Sequence, residues 1–260
     1  QFHAHTAGAP TRASPLTGKM NSRLGMWDAY AGTRTTFENT GKPIPEGCHF
    51  LDNEPWHEYR YNKTDRGVSV SIGATALHDV KTIPQGLEGY HSAFIGKWHL
   101  GSKSHEGFQP DDCGFDEVLA YFDGGGSSYH RPFSAVAAHS KEWDNPGPDL
   151  EPRQDYLSDD VAQRVNRFLE AQTVDQSGKP FFLYFAHPAA HGPIQSRKDD
   201  QDYFAKKARK SGWVGHLNPR YAGLIKGMDR SIGAVLDKLD ELKLSDNTAV
   251  ILISDNGGHP

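Results

Sequence analysis

Apolar positions recur along this chain with two different periods, and the change of period predicts the elements. Val68, Val70 and Ile72 alternate with Ser69 and Ser71, the pattern of a strand with one buried face. Residues 92–101, Ser-Ala-Phe-Ile-Gly-Lys-Trp-His-Leu-Gly, read as a buried strand running into a loop. The continuous apolar run at 180–187 predicts a fully buried strand, and the run at 249–254 predicts another. Helical spacing appears in between. Leu157, Val161, Val165, Phe168 and Leu169 form one face of a helix that Ser158 can cap. The longest helix covers 219–242, where Tyr221, Leu224, Ile225, Met228, Ile232, Val235, Leu236, Leu239 and Leu242 make an apolar stripe. Two shorter helices carry their own punctuation: Thr82 caps one with Pro84 in its first turn and Gly89 closing it, and Pro10 opens another that Gly18 ends.

The 260 residues suffice for one large α/β domain or two small ones. A net charge of -5 with scattered basic residues argues against a nucleic-acid partner, and the one basic cluster, 206–210, reads as a solvated helix face. Two cysteines, Cys48 and Cys113, lack the spacing of a zinc site; whether they bridge is left open by the sequence. No apolar run reaches the ~20 residues of a membrane span, and the first residues have no leader-peptide pattern. Residues 20–67 are aromatic, Gly-rich and aperiodic, which fits either a packed loop or a substrate-contacting wall. Asn62-Lys63-Thr64 fits a glycosylation sequon, relevant only along a eukaryotic secretory route. Gly-rich and Pro-rich loops follow at 123–132 and 141–153.

Three places offer chemistry. The N–H groups around residues 8–11 lie at a helix N-terminus that favours an anion, and Arg12 adds a planar fork suited to a tetrahedral oxyanion. Lys97 and His99, at i and i+2, would point to one side of an extended chain at a strand's end. Asp255 and Asn256 set oxygen ligands after an apolar run, which suits a hard cation. Each also has an ordinary meaning: a Pro-opened helix, a polar strand end, an Asx turn. Taken singly, that ordinary meaning is the commoner one.

Taken together the motifs resemble the type I (formylglycine-dependent) sulfatases. Gly8-Ala9-Pro10-Thr11-Arg12, followed by Thr17-Gly18, is similar to the first signature of that family; Gly89-Tyr90 with Ala93-Phe94-Ile95-Gly96-Lys97-Trp98-His99-Leu100-Gly101 is similar to the second, and Gly114-Phe115-Asp116 to the turn that follows. The resemblance implies an α/β fold of the alkaline phosphatase superfamily: a mixed, mostly parallel sheet sandwiched between helices, with the site at the strands' C-terminal ends. It implies a sulfuric ester hydrolase acting on a sulfated small molecule or glycan, with Ca²⁺ or Mg²⁺ held by Asp255 and Asn256. In that family the nucleophile is a hydrated formylglycine, which would stand at position 8. Arg12 would stabilise it, Lys97 would bind sulfate, His191 would contact the sulfate and protonate the leaving oxygen, and His99 would take the proton that lets sulfate depart. His187, in the same turn as His191, is the weaker candidate.

Gly8 departs from the family, which has Cys or Ser there. Glycine has no carbon to bear the nucleophile. Position 8 therefore carries a modified residue, or was replaced to inactivate the enzyme, or the chain is a non-catalytic, glycan-binding relative; the anion-binding residues around it favour the first two. A phosphodiester or phosphonate monoester hydrolase of the same superfamily shares the pattern. The resemblance also implies that 1–260 is an incomplete catalytic domain, with a metal-binding Asp pair before Gln1 and a C-terminal region after Pro260. It implies a periplasmic, secreted or lysosomal setting, and it is silent on oligomeric state.

Overall fold

A computed structural model describes residues 8–24, 80–100, 109–121, 128–131, 133, 150–174, 178–207 and 218–258. The strand expected at 68–72, most of the aromatic stretch 20–67, and much of the Gly-rich and Pro-rich loops lie outside them. Helix α1 is Gly8–Thr17 and a short turn, α2, is Asn21–Leu24. Gly18 ends α1 with φ 66°, the left-handed conformation that glycine adopts without steric cost. Helix α3 is Ile83–Gly86, three residues shorter than Gly89 suggested; Gln85 Oε1 accepts from the Thr82 N–H at 2.9 Å, half of a capping box. Strands β1 (His91–Lys97) and β2 (Glu117–Tyr121) precede helix α4 (Leu157–Val174); β3 (Phe181–Ala186), α5 (Lys198–Lys206) and α6 (Pro219–Glu241) follow, then a 3₁₀ turn, Ser245–Asn247.

All three strands are parallel, in the order β2-β1-β3. Phe94 pairs with Val118 on one side and Tyr184 on the other; Gly96 pairs with Ala120 and Ala186. Successive side chains of β1 serve opposite faces. Phe94 joins Ala9, Ala13 and Leu16 of α1 with Trp98 and Phe115, whereas Ala93 and Ile95 join Val165, Phe168 and Leu169 of α4 and Leu239 of α6. The sheet thus lies between α1 on one side and α4 with α6 on the other, an α/β sandwich whose middle strand is apolar on both faces. A third cluster, of Tyr129, Phe133, Tyr156, Leu157, Val161 and Leu224, closes the end where β3 enters its loop.

Four sequence expectations change. The run at 249–254 is not a buried strand: it has no strand pairing among the described residues, with Val250 59%, Ile251 80% and Leu252 79% exposed. Apolar content marks a segment that can be buried, but a strand also needs a neighbour to take its N–H and C=O groups. β3 is half-buried rather than fully buried, being an edge of the three described strands. Ser158 does not cap α4. The helix already begins at Leu157, and the Tyr156 carbonyl accepts from the N–H groups of Asp159 and Asp160. Along α6 the buried positions are Gly223, Leu224, Gly227, Ser231 and Leu239, so three small residues share the contact face with Leu224 and Leu239 of the apolar stripe. A Cβ at Gly227 would stand 2.9 Å from Tyr156 Cε1. Cys113 is a free, buried thiol whose pKa burial pushes up to about 12.

Candidate active site

The N-terminus of α1 begins at Gly8, and Pro10 suits that first turn because the N–H it lacks would have no intrahelical partner there. Burial of Ala9, Ala13 and Leu16 beneath the sheet fixes where that turn points. It points at the segment after 249–254: a Cβ built on Gly8 lies 2.7 Å from Asp255 Oδ2 and 3.5 Å from Asn256 Nδ2. The 2.7 Å contact is to the end of a carboxylate side chain, which can turn aside. Any side chain at position 8 would therefore meet Asp255 and Asn256.

Arg12, one turn into α1, gathers the other pieces. Its Nη2 donates to Asp255 Oδ2 at 2.8 Å, and its Nη1 donates to the Lys97 carbonyl at 3.0 Å. Its Nε is enclosed with no acceptor among the described residues. Lys97 ends β1, opposite Tyr121, and is 4% exposed. Desolvation lowers its pKa to about 7, helped by the positive charge of Arg12 and opposed by Asp255. Segments far apart in sequence thus bring a guanidinium and an amide onto the Asp255 carboxylate beside position 8, with Lys97 near enough to feel the charges of Arg12 and Asp255.

The histidines are placed less directly. His99 is half-buried and has φ 56°, so the chain has left the extended conformation after Lys97 and the i, i+2 argument for a shared side does not hold. His191 stands five residues beyond β3, exposed, its Nδ1 2.9 Å from the Gly192 carbonyl. Since β1 and β3 are parallel neighbours with Gly96 opposite Ala186, both histidines leave the sheet at its C-terminal end. His187 differs from both: its Nδ1 accepts from the Ala189 N–H at 3.0 Å, its Nε2 is enclosed without a partner among the described residues, and burial lowers its pKa to about 4. It is held neutral, which unfits it as a proton donor near pH 7.

For a hard cation, Asp255 and Asn256 are suitable donors and the space above Gly8 adjoins them. They are part of a ligand set only, since no group of three or more metal-binding side chains occurs among the described residues. Sequence reading missed Tyr129 and Gln195, which tie residues 128–131 to the turn carrying His191: the Tyr129 hydroxyl lies 2.8 Å from the Pro188 carbonyl and 3.1 Å from that of His191, and Gln195 Oε1 accepts from Tyr129 N–H at 2.8 Å. The only local signal was an aromatic residue just after a run of Gly and Ser.

A three-layer α/β sandwich with charged and oxygen-bearing groups gathered at the strands' C-terminal ends is the arrangement in which such folds bind anionic ligands. A family model described as Sulfatase matches residues 1–260, and the chain belongs to the sulfatase family. It is 24% identical over 305 residues to the arylsulfatase of Klebsiella aerogenes, with 100% of this chain and 58% of that protein covered. It is 29% identical over 271 residues to the N-acetylgalactosamine-6-sulfatase of Canis lupus familiaris, covering 98% and 42%. The chain thus spans about half the length of these curated relatives. Among solved structures it is similar to Ps i-CgsB in complex with k-i-k-neocarrahexaose, at 19% identity and TM-score 0.58, covering 94% of this chain and 49% of that one. At that identity the likeness speaks for the fold.

Proposed function

We propose that this chain carries the sulfate-binding part of a metal-dependent sulfatase that hydrolyses a sulfate ester on a carbohydrate. The observation that carries the reading is the meeting of Gly8, Arg12, Asp255 and Asn256 beside the buried Lys97, in a chain of the sulfatase family. Asp255 and Asn256 would hold a hard divalent cation, Ca²⁺ or Mg²⁺, as part of a larger oxygen ligand set. That cation would supply Lewis-acid polarisation of sulfate oxygens. Lys97 binds the sulfate while it is protonated. Arg12 fixes the Asp255 carboxylate and, through its Nε, can donate to an oxygen borne at position 8. His191 protonates the leaving oxygen from Nε2, with Nδ1 turned to Gly192; His99 accepts the proton whose removal frees the product. A carbohydrate is favoured by relatives named for N-acetylgalactosamine 6-sulfate. A periplasmic, secreted or lysosomal setting goes with it; no helix among the described residues is long and apolar enough to cross a membrane.

Residue 8 decides between catalysis and binding. In the functioning protein it is formylglycine, and mass spectrometry of the peptide from Gln1 to Arg12 should show the mass of glycine plus one carbonyl unit. A plain glycine in the native source, with glycan bound but no ester turned over, would mean a non-catalytic module. Turnover of aryl phosphodiesters faster than aryl sulfates would instead mean the phosphoryl branch of the superfamily. Asp255→Ala should strip the bound metal and the activity together; unchanged metal content would refute the ligand assignment.

A further inference from the structure

Resting on the role proposed above for His191, we infer that Tyr129 is a positioning residue which sets the main chain that carries that histidine. Tyr129 is 2% exposed, and its ring packs in the cluster with Tyr156, Leu157, Val161 and Leu224. Its hydroxyl has one proton and reaches two carbonyls, those of Pro188 at 2.8 Å and His191 at 3.1 Å, which bracket the turn after β3. The grip is reciprocal. Gln195, on the far side of the turn, returns its side-chain oxygen to the Tyr129 N–H at 2.8 Å and to the Ser128 hydroxyl at 3.3 Å.

The tyrosine is itself anchored. Its carbonyl accepts from Leu157 N–H, the first residue of α4, at 2.8 Å. Two residues on, Arg131 donates to the Gln154 carbonyl at 2.6 Å and to Asp160 at 2.8 Å, and Asp160 is 1% exposed. The hydroxyl is therefore held by α4, which packs on the sheet, while the turn it holds projects an exposed imidazole. A proton donor acts only within hydrogen-bond reach of the atom it serves, and a displacement of about 1 Å can cost up to ~10²-fold in rate. Tyr129→Phe would free the Pro188 and His191 carbonyls from this shared donor, and the turn so loosened should lose roughly tenfold in steps that need His191.

The test is Tyr129→Phe in the intact enzyme, which keeps the ring in its cluster, with kcat/KM measured on phenyl sulfate and nitrophenyl sulfate. Phenol is the poorer leaving group and needs more help from an acid. The variant should lose roughly tenfold on phenyl sulfate and less than about twofold on nitrophenyl sulfate. The ratio of the two substrates cancels any difference in the amount of folded protein, so a loss of stability cannot imitate the result. Equal losses on both substrates, or none on either, would overturn the inference. His191→Ala on the same pair separates it from the reading beneath: if His191→Ala discriminates between the substrates and Tyr129→Phe does not, Tyr129 alone is misassigned. If His191→Ala fails to discriminate, the acid role and the positioning role both fall.

Discussion

Lys97 combines function with a cost. An ammonium 4% exposed, beside a guanidinium, is disfavoured, and its pKa falls from 10.5 to about 7. Below pH 7 both folded and unfolded chains carry the proton, and the folded state bears the full penalty. Between about 7 and 10.5 the unfolded chain binds a proton that the folded chain does not, so this group's contribution to stability rises with pH. Lys97→Met should therefore raise stability at pH 6 by about 1–3 kcal/mol, a gain that shrinks above pH 7, while abolishing turnover. Chemical denaturation at pH 6 and pH 9 checks it. A variant less stable than the parent at pH 6 would show that Lys97 is a structural cation.

At the scale of elements, α6 carries two glycines that should respond in opposite directions to the same change. A methyl at Gly227 would press on the buried Tyr156 ring, whereas nothing lies within 4 Å of a methyl at Gly233. Gly233→Ala should stabilise by about 0.5–1 kcal/mol through helix propensity, and Gly227→Ala should destabilise by about 1–3 kcal/mol through overpacking. Thermal unfolding of the two variants side by side is the measurement. Helix α4 depends on a different contact. Asp160 accepts from Arg131 and from Arg164, the latter pair 1% and 3% exposed in their side chains. Asp160→Ala would leave a buried guanidinium without its carboxylate and should cost about 3–5 kcal/mol, whereas a double replacement of Asp160 and Arg164 by apolar residues should cost less.

For the molecule as a whole, His187 makes stability depend on mild acid. Its folded pKa is about 4 against an ordinary 6.5, because burial excludes the charged form. Above pH 6.5 neither state binds the proton and the stabilisation is complete; as pH falls from 6.5 to 4 the unfolded chain takes up a proton first, and stability is lost. The loss should be about 3 kcal/mol across that window, and His187→Gln should flatten the slope in urea titrations between pH 4 and 7. An unchanged slope would place the acid sensitivity elsewhere.

What the sequence determined by itself was local. Pro10 and Gly18 bound a helix because one lacks an N–H and the other tolerates a positive φ; β1, β3, α4 and α6 follow from runs and periods that hold wherever the chain lies. The residue types suited to an anion and a hard cation were legible too, at Gly8, Arg12, Lys97, Asp255 and Asn256. That Gly8, Arg12 and Asp255 meet was decided only by tertiary structure, since the Arg12–Asp255 pair closes 243 residues of chain. So were the small residues in the contact face of α6, the reach of Tyr129 across 59 residues to Pro188, and the exposure of Val250, Ile251 and Leu252. Hydrophobic period states which side of an element can be buried. Which neighbour buries it, and which carbonyl a distant hydroxyl meets, depends on packing among segments that share no local pattern.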